Sequence, residues 1–139
     1  MDKKLRIFVV EDEALVAMMM EDILEDLGHE VGAVASRLLE ACEVARTGNF
    51  DLAILDVNLD GEPSFPIAEA LRSRGIPFAF ATGYGSKGLE ADFAYVPTLA
   101  KPFVNEDVDR LISELMGRAS KPTLPSSIPS SSTKDAFAR

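Results

Sequence analysis

The chain has 139 residues, 47% of them hydrophobic, with a net charge of −9 at pH 7 and one cysteine, Cys42, so an internal disulfide bond is excluded and a reducing cytoplasm is expected. From residue 119 onward the net charge is +2, so the preceding body carries −11 without a basic stripe, which opposes nucleic-acid binding through phosphates. No apolar run approaches the length of about 20 residues that a membrane span requires, so no membrane partner is expected either.

Five short apolar runs alternate with helical patterns along the chain. They are residues 5–10, 31–35, 52–55, 77–81 and 96–100. Strands that alternate with helices form βαβ units, which build a parallel sheet. The third run has no alternation of polar and apolar side chains, which indicates a central strand covered on both faces. We therefore predict an α/β fold with five parallel strands.

The first helical pattern is amphipathic. Its apolar side chains recur every four residues, at Leu15, Met19, Ile23 and Leu27. This spacing predicts a helix that ends at Gly28, with Met19 and Met20 in the core and Met18 on the acidic face. His29 follows in a turn, where we expect an exposed side chain.

The later helices differ in the strength of their patterns. Ser36 can cap a second helix, and Ser64 with Pro66 can open a third. Residues 82–88 contain three glycines, each of which costs about 1 kcal/mol in a helix relative to alanine. The fourth helix should therefore be short, displaced or replaced by a mobile loop.

The composition changes near the end of the chain. A last amphipathic helix is predicted to end near Gly117, and residues 119–139 are rich in Ser, Pro, Lys and Thr. That composition is typical of disorder, so we predict one domain over residues 1–118 and a disordered tail over residues 119–139.

Polar side chains stand at the carboxyl ends of four of the five predicted strands. They are Glu11 and Asp12 after the first, Asp56 after the third, Thr82 after the fourth and Lys101 after the fifth. Each has an ordinary alternative, such as a helix cap, a turn residue or a solvated lysine. Parallel strands deliver their carboxyl ends to one edge of the sheet, where ligands bind. Five such groups together therefore indicate a composed site.

The chemistry of this set follows from its charges. Three carboxylates brought together repel one another unless they share protons or hold a hard cation, and Mg²⁺ prefers such oxygen ligands. Asp56 could then attack a phosphorus centre, because the cation and Lys101 neutralise the transferring oxygens while Thr82 donates a hydrogen bond. The predicted product is an aspartyl phosphate.

These residues, in this order, resemble the receiver domain of bacterial two-component response regulators over about residues 5–117. The resemblance implies a flavodoxin-like doubly wound sheet of strand order 2-1-3-4-5, a cytoplasmic signalling role without enzymatic turnover of a metabolite, and a sensor histidine kinase as phosphodonor. It implies Asp56 as phosphoacceptor, with Asp12, Asp56 and the backbone carbonyl of Asn58 as Mg²⁺ ligands. Glu11 stands where many members carry aspartate, and its longer side chain could reach the metal through water.

The segment Phe80-Ala81-Thr82-Gly83-Tyr84 also resembles the signature of a single-domain subgroup with an atypical fourth helix. It implies a stand-alone receiver that acts through protein contacts or phosphotransfer. Thr98 stands where receivers usually carry an aromatic residue that reports phosphorylation. We hypothesise that Tyr84 carries the signal instead, and that Asn58 and Tyr84 tune the lifetime of the phosphoryl group.

Three other functions are alternatives to a phosphorylated receiver, and a docking surface for the kinase is predicted. An aspartyl-nucleophile phosphohydrolase commonly needs an aspartate where this chain has Asn58, and a flavin phosphate would be repelled by the acidic turn after the first strand. A pseudo-receiver that is never phosphorylated remains an alternative because of Thr98. An apolar patch is expected to dock on the kinase, formed by Ala14, Met18, Pro102 and Phe103.

Overall fold

The computed structural model describes residues 4–83, 89 and 91–120. Five parallel strands form the main sheet: β1 (Arg6–Val10), β2 (Glu30–Ala35), β3 (Leu52–Asp56), β6 (Phe78–Thr82) and β7 (Thr98–Ala100). A small antiparallel hairpin is formed by β4 (Asn58–Leu59) and β5 (Glu62–Pro63). The main sheet has the order β2-β1-β3-β6-β7, which is 2-1-3-4-5 when its five strands are numbered alone. The predicted doubly wound fold is confirmed.

Helices cover both faces of the sheet. They are α1 (Ala14–Asp26), α2 (Leu38–Thr47), α3 (Phe65–Ser73) and α4 (Asn105–Ser120). Along β3, Leu52 and Ile54 pack in one core cluster with α1 and α4, whereas Ala53 and Leu55 pack in the other with α2 and α3. Because successive side chains of a strand point to opposite faces, an unbroken apolar run is what a strand between two cores requires.

The region between β6 and β7 holds little regular structure in its described part. There the only element is one turn of 3₁₀ helix, Ala91–Phe93, and the Phe93 side chain is fully buried. Residues 84–88 and 90 lie outside the described residues. The described part agrees with the prediction that a regular fourth helix is short, displaced or replaced by a loop.

The apolar face of α1 differs from the predicted one. Its buried residues are Ala17, Met20, Ile23 and Leu24. Leu15 and Met19 are 74% and 48% exposed, so the prediction was right for Met20 and wrong for Met19. Adjacent helical residues are about 100° apart, and the sheet contacts the face centred on Met20 and Leu24, which turns Met19 outward.

His29 is buried, contrary to the prediction of an exposed side chain. It is 8% exposed, and the backbone N–H of Leu5 donates to its Nδ1 over 3.2 Å. This contact joins the start of β1 to the turn after α1, a pairing between residues distant in sequence. Because Nδ1 accepts, the ring proton of the neutral imidazole lies on Nε2.

Two helix ends also differ from their predicted positions. The residue before α2 is Arg37 rather than Ser36, and the structure gives this end no side-chain cap among the described residues. The last helix continues through Ser120, past Gly117, and residues 121–139 lie outside the described residues. None of the described helices is both long and apolar enough to cross a membrane.

Candidate phosphorylation site

The carboxyl edge of the main sheet brings the predicted polar groups together. Glu11 and Asp12 follow β1, Asp56 ends β3, Thr82 ends β6 and Lys101 follows β7. The pairing of β3 between β1 and β6 puts Asp56 at the middle of this edge. Asp12, Asp56, Thr82 and Lys101 line one pocket of about 500 Å³, and Glu11 lies behind them with only 5% exposure.

Lys101 bridges two of the carboxylates. Its Nζ donates to Glu11 Oε1 over 3.0 Å and to Asp56 Oδ2 over 3.2 Å. Its backbone N–H donates to the Thr82 carbonyl over 3.1 Å, which ties the chain after β7 to the end of β6. The peptide bond between Lys101 and Pro102 is cis. The hydrogen bond from the Lys101 backbone to Thr82 and the one from its Nζ to Glu11 together hold the ammonium group beside Asp56.

Burial controls the ionisation of the pair formed by Glu11 and Lys101. Desolvation raises the pKa of Glu11 from 4.5 to about 7; the hydrogen bond from Lys101 opposes this shift, and the charge of Asp56 adds to it. Burial alone would lower the pKa of Lys101, but the hydrogen bond to Glu11 and the charge of Asp56 outweigh burial and raise it. Lys101 thus stays cationic, whereas Glu11 titrates near neutrality.

The β4–β5 hairpin contacts the acidic residues through its backbone. Asp60 N–H donates to Asp12 Oδ2 over 3.0 Å, and Asn58 N–H donates to Asp56 Oδ1 over 3.2 Å. The turn needs positive φ at Asp60 (52°) and Gly61 (90°), which Asp-Gly provides. The Asn58 side chain closes this turn, since its Oδ1 accepts from Gly61 N–H over 2.7 Å.

The carboxylates at this edge form a donor set suited to a hard cation. One oxygen from each of Glu11, Asp12 and Asp56 lies within 4.8 Å of the others. Mg²⁺ takes oxygen ligands at about 2.0–2.1 Å and keeps several waters, so a cluster of carboxylates at a pocket wall fits it. Asp12 and Asp56 face the pocket, while Glu11 is occupied by Lys101 and by a hydrogen bond from Glu13 N–H over 3.2 Å.

The remaining predicted residues have different outcomes. Asn58 lies in the pocket wall, and Ala14, Met18 and Pro102 are exposed. Phe103 is only 5% exposed and packs in the core with Leu99 and Val108, so it cannot offer a docking surface, and the predicted patch is corrected there. Thr98 is an exposed residue of β7. Tyr84 lies outside the described residues.

Sequence reasoning missed two contributors to the site. The first is Asp60, whose backbone N–H donates a hydrogen bond to Asp12. The Asp60-Gly61 dipeptide is a recognisable hairpin signal and could have indicated this turn. Phe65 lines the pocket and stacks on Phe93, with ring centroids 5.3 Å apart and planes 6° from parallel. No local pattern marks Phe65, because its partner is distant in sequence.

Comparison with known families matches residues 7–113 to the response regulator receiver domain. The chain belongs to this family, whose members are proteins of two-component signal transduction. The solution structure of SdrG from Sphingomonas melonis Fr1 is similar, with a TM-score of 0.73 and 41% identity over 84% of this chain and 99% of that one.

Two longer regulators are also similar to the chain. The phyllosphere-induced regulator PhyR of Methylorubrum extorquens is 32% identical over 83% of this chain and 45% of its own length. The transcriptional regulatory protein PdtaR of Mycobacterium tuberculosis is 30% identical over 74% of this chain and 52% of its own length. The chain therefore spans about half the length of these curated relatives.

Proposed function

We propose that the chain is a cytoplasmic response regulator receiver that takes a phosphoryl group on Asp56 from the phosphohistidine of a sensor kinase. The observation that carries the proposal is the contact of Lys101 Nζ with Asp56 Oδ2 over 3.2 Å in a pocket shared with Asp12 and Thr82. This geometry supports the proposal, because a cation contacts Asp56 and a hydroxyl-bearing residue lines the same pocket.

The transfer uses few groups of the chain. An Asp56 oxygen forms a bond to phosphorus as the phosphorus–nitrogen bond to the kinase histidine breaks, and the nitrogen keeps the electron pair. Lys101 and the Thr82 hydroxyl stabilise the transferring oxygens. Asp12 and Asp56, with the Asn58 carbonyl, would hold Mg²⁺, which supplies further neutralisation of charge. Pro63 pairs with Asn58 in the hairpin but has no N–H, so Pro63 does not donate a hydrogen bond to the Asn58 carbonyl that would bind the metal.

The alternative of a phosphohydrolase has less support. Such an enzyme would use the residue two positions after Asp56 as general acid, and here the amide of Asn58 accepts the Gly61 N–H instead. The segment Phe80-Ala81-Thr82-Gly83 supports the single-domain subgroup. We propose signalling through protein contacts or phosphotransfer, with Tyr84 as the reporter because Thr98 replaces the usual aromatic residue.

The proposed kinase contact is the exposed apolar surface of α1. Ala14 and Met18 are joined there by Leu15 and Met19, and Pro102 is exposed near the site. Exposed apolar side chains grouped on one helix are typical of protein interfaces. This surface replaces the predicted one that included Phe103.

The test is phosphorylation by acetyl phosphate in the presence of Mg²⁺. We expect a hydroxylamine-labile adduct of one phosphoryl group per chain, absent from Asp56→Asn. Asp60→Asn is the matched control, because it neutralises a nearby exposed carboxylate at a positive-φ position that asparagine tolerates. An adduct that persists in Asp56→Asn contradicts the assignment, and multiple turnover of an organic phosphate would favour the hydrolase.

A further inference from the structure

A second cavity lies at the opposite edge of the sheet from the candidate phosphorylation site. This basal groove of about 250 Å³ lies beside the starts of β6 and β7 and includes part of α4. Its principal lining residues are Arg72, Ile76, Phe78, Tyr95, Pro97 and Leu115. Tyr95 is 63% exposed, which is a large aromatic surface for a residue that the proposed chemistry does not use.

The basal groove has the composition of a site for proline-rich peptide. It combines an exposed tyrosine, Pro77 and Pro97 with one cation, Arg72. Peptides in the polyproline II conformation dock in aromatic-lined grooves, where their low conformational entropy favours binding. The groove lies at the opposite edge of the sheet from Asp56, so a peptide bound there would not block phosphorylation.

The chain carries a segment of this kind directly after α4. Residues 122–129 are Pro-Thr-Leu-Pro-Ser-Ser-Ile-Pro, which includes a Pro-x-x-Pro sequence. Pro122, Pro125 and Ile128 recur every three residues, the period of the polyproline II helix, so that conformation would put them on one edge. A composition typical of disorder is compatible with such docking, because no independent fold is needed.

The path of α4 brings this segment to the groove. The helix starts at the carboxyl edge after β7 and runs back, so that Leu115 lines the basal groove five residues before the helix ends at Ser120. Each extended residue spans at most about 3.6 Å, so the five residues after Ser120 can carry Pro125 up to about 18 Å from the end of α4.

We propose that residues 122–129 of the chain dock in the basal groove in an extended, polyproline II conformation. The tether makes a weak contact sufficient, since a short flexible link gives an effective concentration of about millimolar. A segment with an intrinsic Kd of about 0.1 mM would therefore occupy the groove most of the time. This inference is independent of the proposed phosphorylation chemistry.

The test uses the full chain, labelled for NMR. We expect nuclear Overhauser contacts from Pro125 and Ile128 to the Tyr95 ring, and order parameters above about 0.6 for residues 123–128. Pro125→Ser/Ile128→Ser should abolish these contacts and shift the amide signals of Ile76 and Val96. Tyr95→Ala should mobilise the tail in the same way.

Two controls separate docking from general effects. Phe137→Ser removes an apolar tail residue outside the segment, and Leu39→Ser removes a side chain that is 84% exposed on α2; both should leave the groove signals unchanged. A mobile wild-type tail without contacts to Tyr95 overturns the proposal. Groove signals that change with protein concentration while the tail stays mobile would assign the groove to a second copy, which also overturns it.

Discussion

At the residue scale, Glu11 is the group whose ionisation the fold alters most clearly. Its carboxyl is buried behind Asp12 and Asp56, and burial raises its pKa to about 7 despite Lys101. The folded state therefore holds a proton that the unfolded state releases. The resulting contribution to stability is fully present below pH 4.5 and is lost as the pH rises through about 7.

Glu11→Gln provides the test of this pH dependence in metal-free protein. The amide cannot ionise, so the unfolding free energy of wild type relative to the variant should fall by about 1–3 kcal/mol between roughly pH 5 and 8. Urea unfolding at several pH values measures this difference. Glu25→Gln, at an exposed site on α1, should show no such trend. A difference that rises with pH would contradict the expected sign.

Ser64 provides a second prediction at this scale. Its Oγ is fully buried without a hydrogen-bond partner among the described residues, although it precedes α3 as a capping residue would. Ser64→Ala should therefore leave the unfolding free energy unchanged or raise it by about 1 kcal/mol, because the variant buries no unpaired hydroxyl. A fall of about 1 kcal/mol in the unfolding free energy, measured with denaturant, would instead show that the Ser64 side chain caps α3.

At the element scale, the end of α2 depends on the absence of a side chain at Gly48. Its φ of −73° is ordinary, but an added Cβ would lie 2.7 Å from the Val44 carbonyl oxygen and 2.6 Å from the Phe50 ring. The backbone contact cannot be relieved by a rotamer change. Space rather than conformation therefore requires glycine here.

Gly48→Ala should lower the unfolding free energy by about 1–3 kcal/mol, the usual range for an overpacked site. Gly117→Ala is the matched control in α4, where an added Cβ meets nothing within 4 Å. That control should stabilise by about 0.5–1 kcal/mol, because alanine favours a helix over glycine. Thermal unfolding of both variants measures the contrast, and equal effects would contradict the steric account.

Local sequence patterns could predict some features of the strands and helices but not others. Strand β3 was recognisable because a strand between two cores must be apolar at every position, and that requirement is visible in residues 52–55. The exposure of Leu15 and Met19 could not be predicted from the sequence, because several apolar faces of α1 satisfy the same local spacing. Packing on the sheet selects one of them.

At the scale of the whole molecule, we expect the acidic edge to couple the stability of the fold to the concentration of Mg²⁺. Three carboxylates are held within 4.8 Å of one another at the edge of a body that carries −11. Mg²⁺ that binds the folded state stabilises it by mass action, by about 2.7 kcal/mol at 100 times its Kd.

Addition of Mg²⁺ should therefore raise the Tm, and Asp12→Asn should remove most of the rise. Asp22→Asn, at an exposed position on α1, is the control and should keep the full rise. Calorimetry with and without a chelator measures both. An equal rise in wild type and Asp12→Asn would place the cation elsewhere.

Local pattern was sufficient for the five strands, their parallel arrangement and the polar groups at their carboxyl ends. Hydrophobic periodicity and strand termination are properties of short segments, and a parallel sheet necessarily brings those termini to one edge. Long-range packing was needed for the burial of His29 and Phe103, the bridge from Lys101 to Glu11 and the hold of Asp60 on Asp12. These contacts join residues far apart in the chain, and their geometry depends on how the helices and the hairpin lie against the sheet.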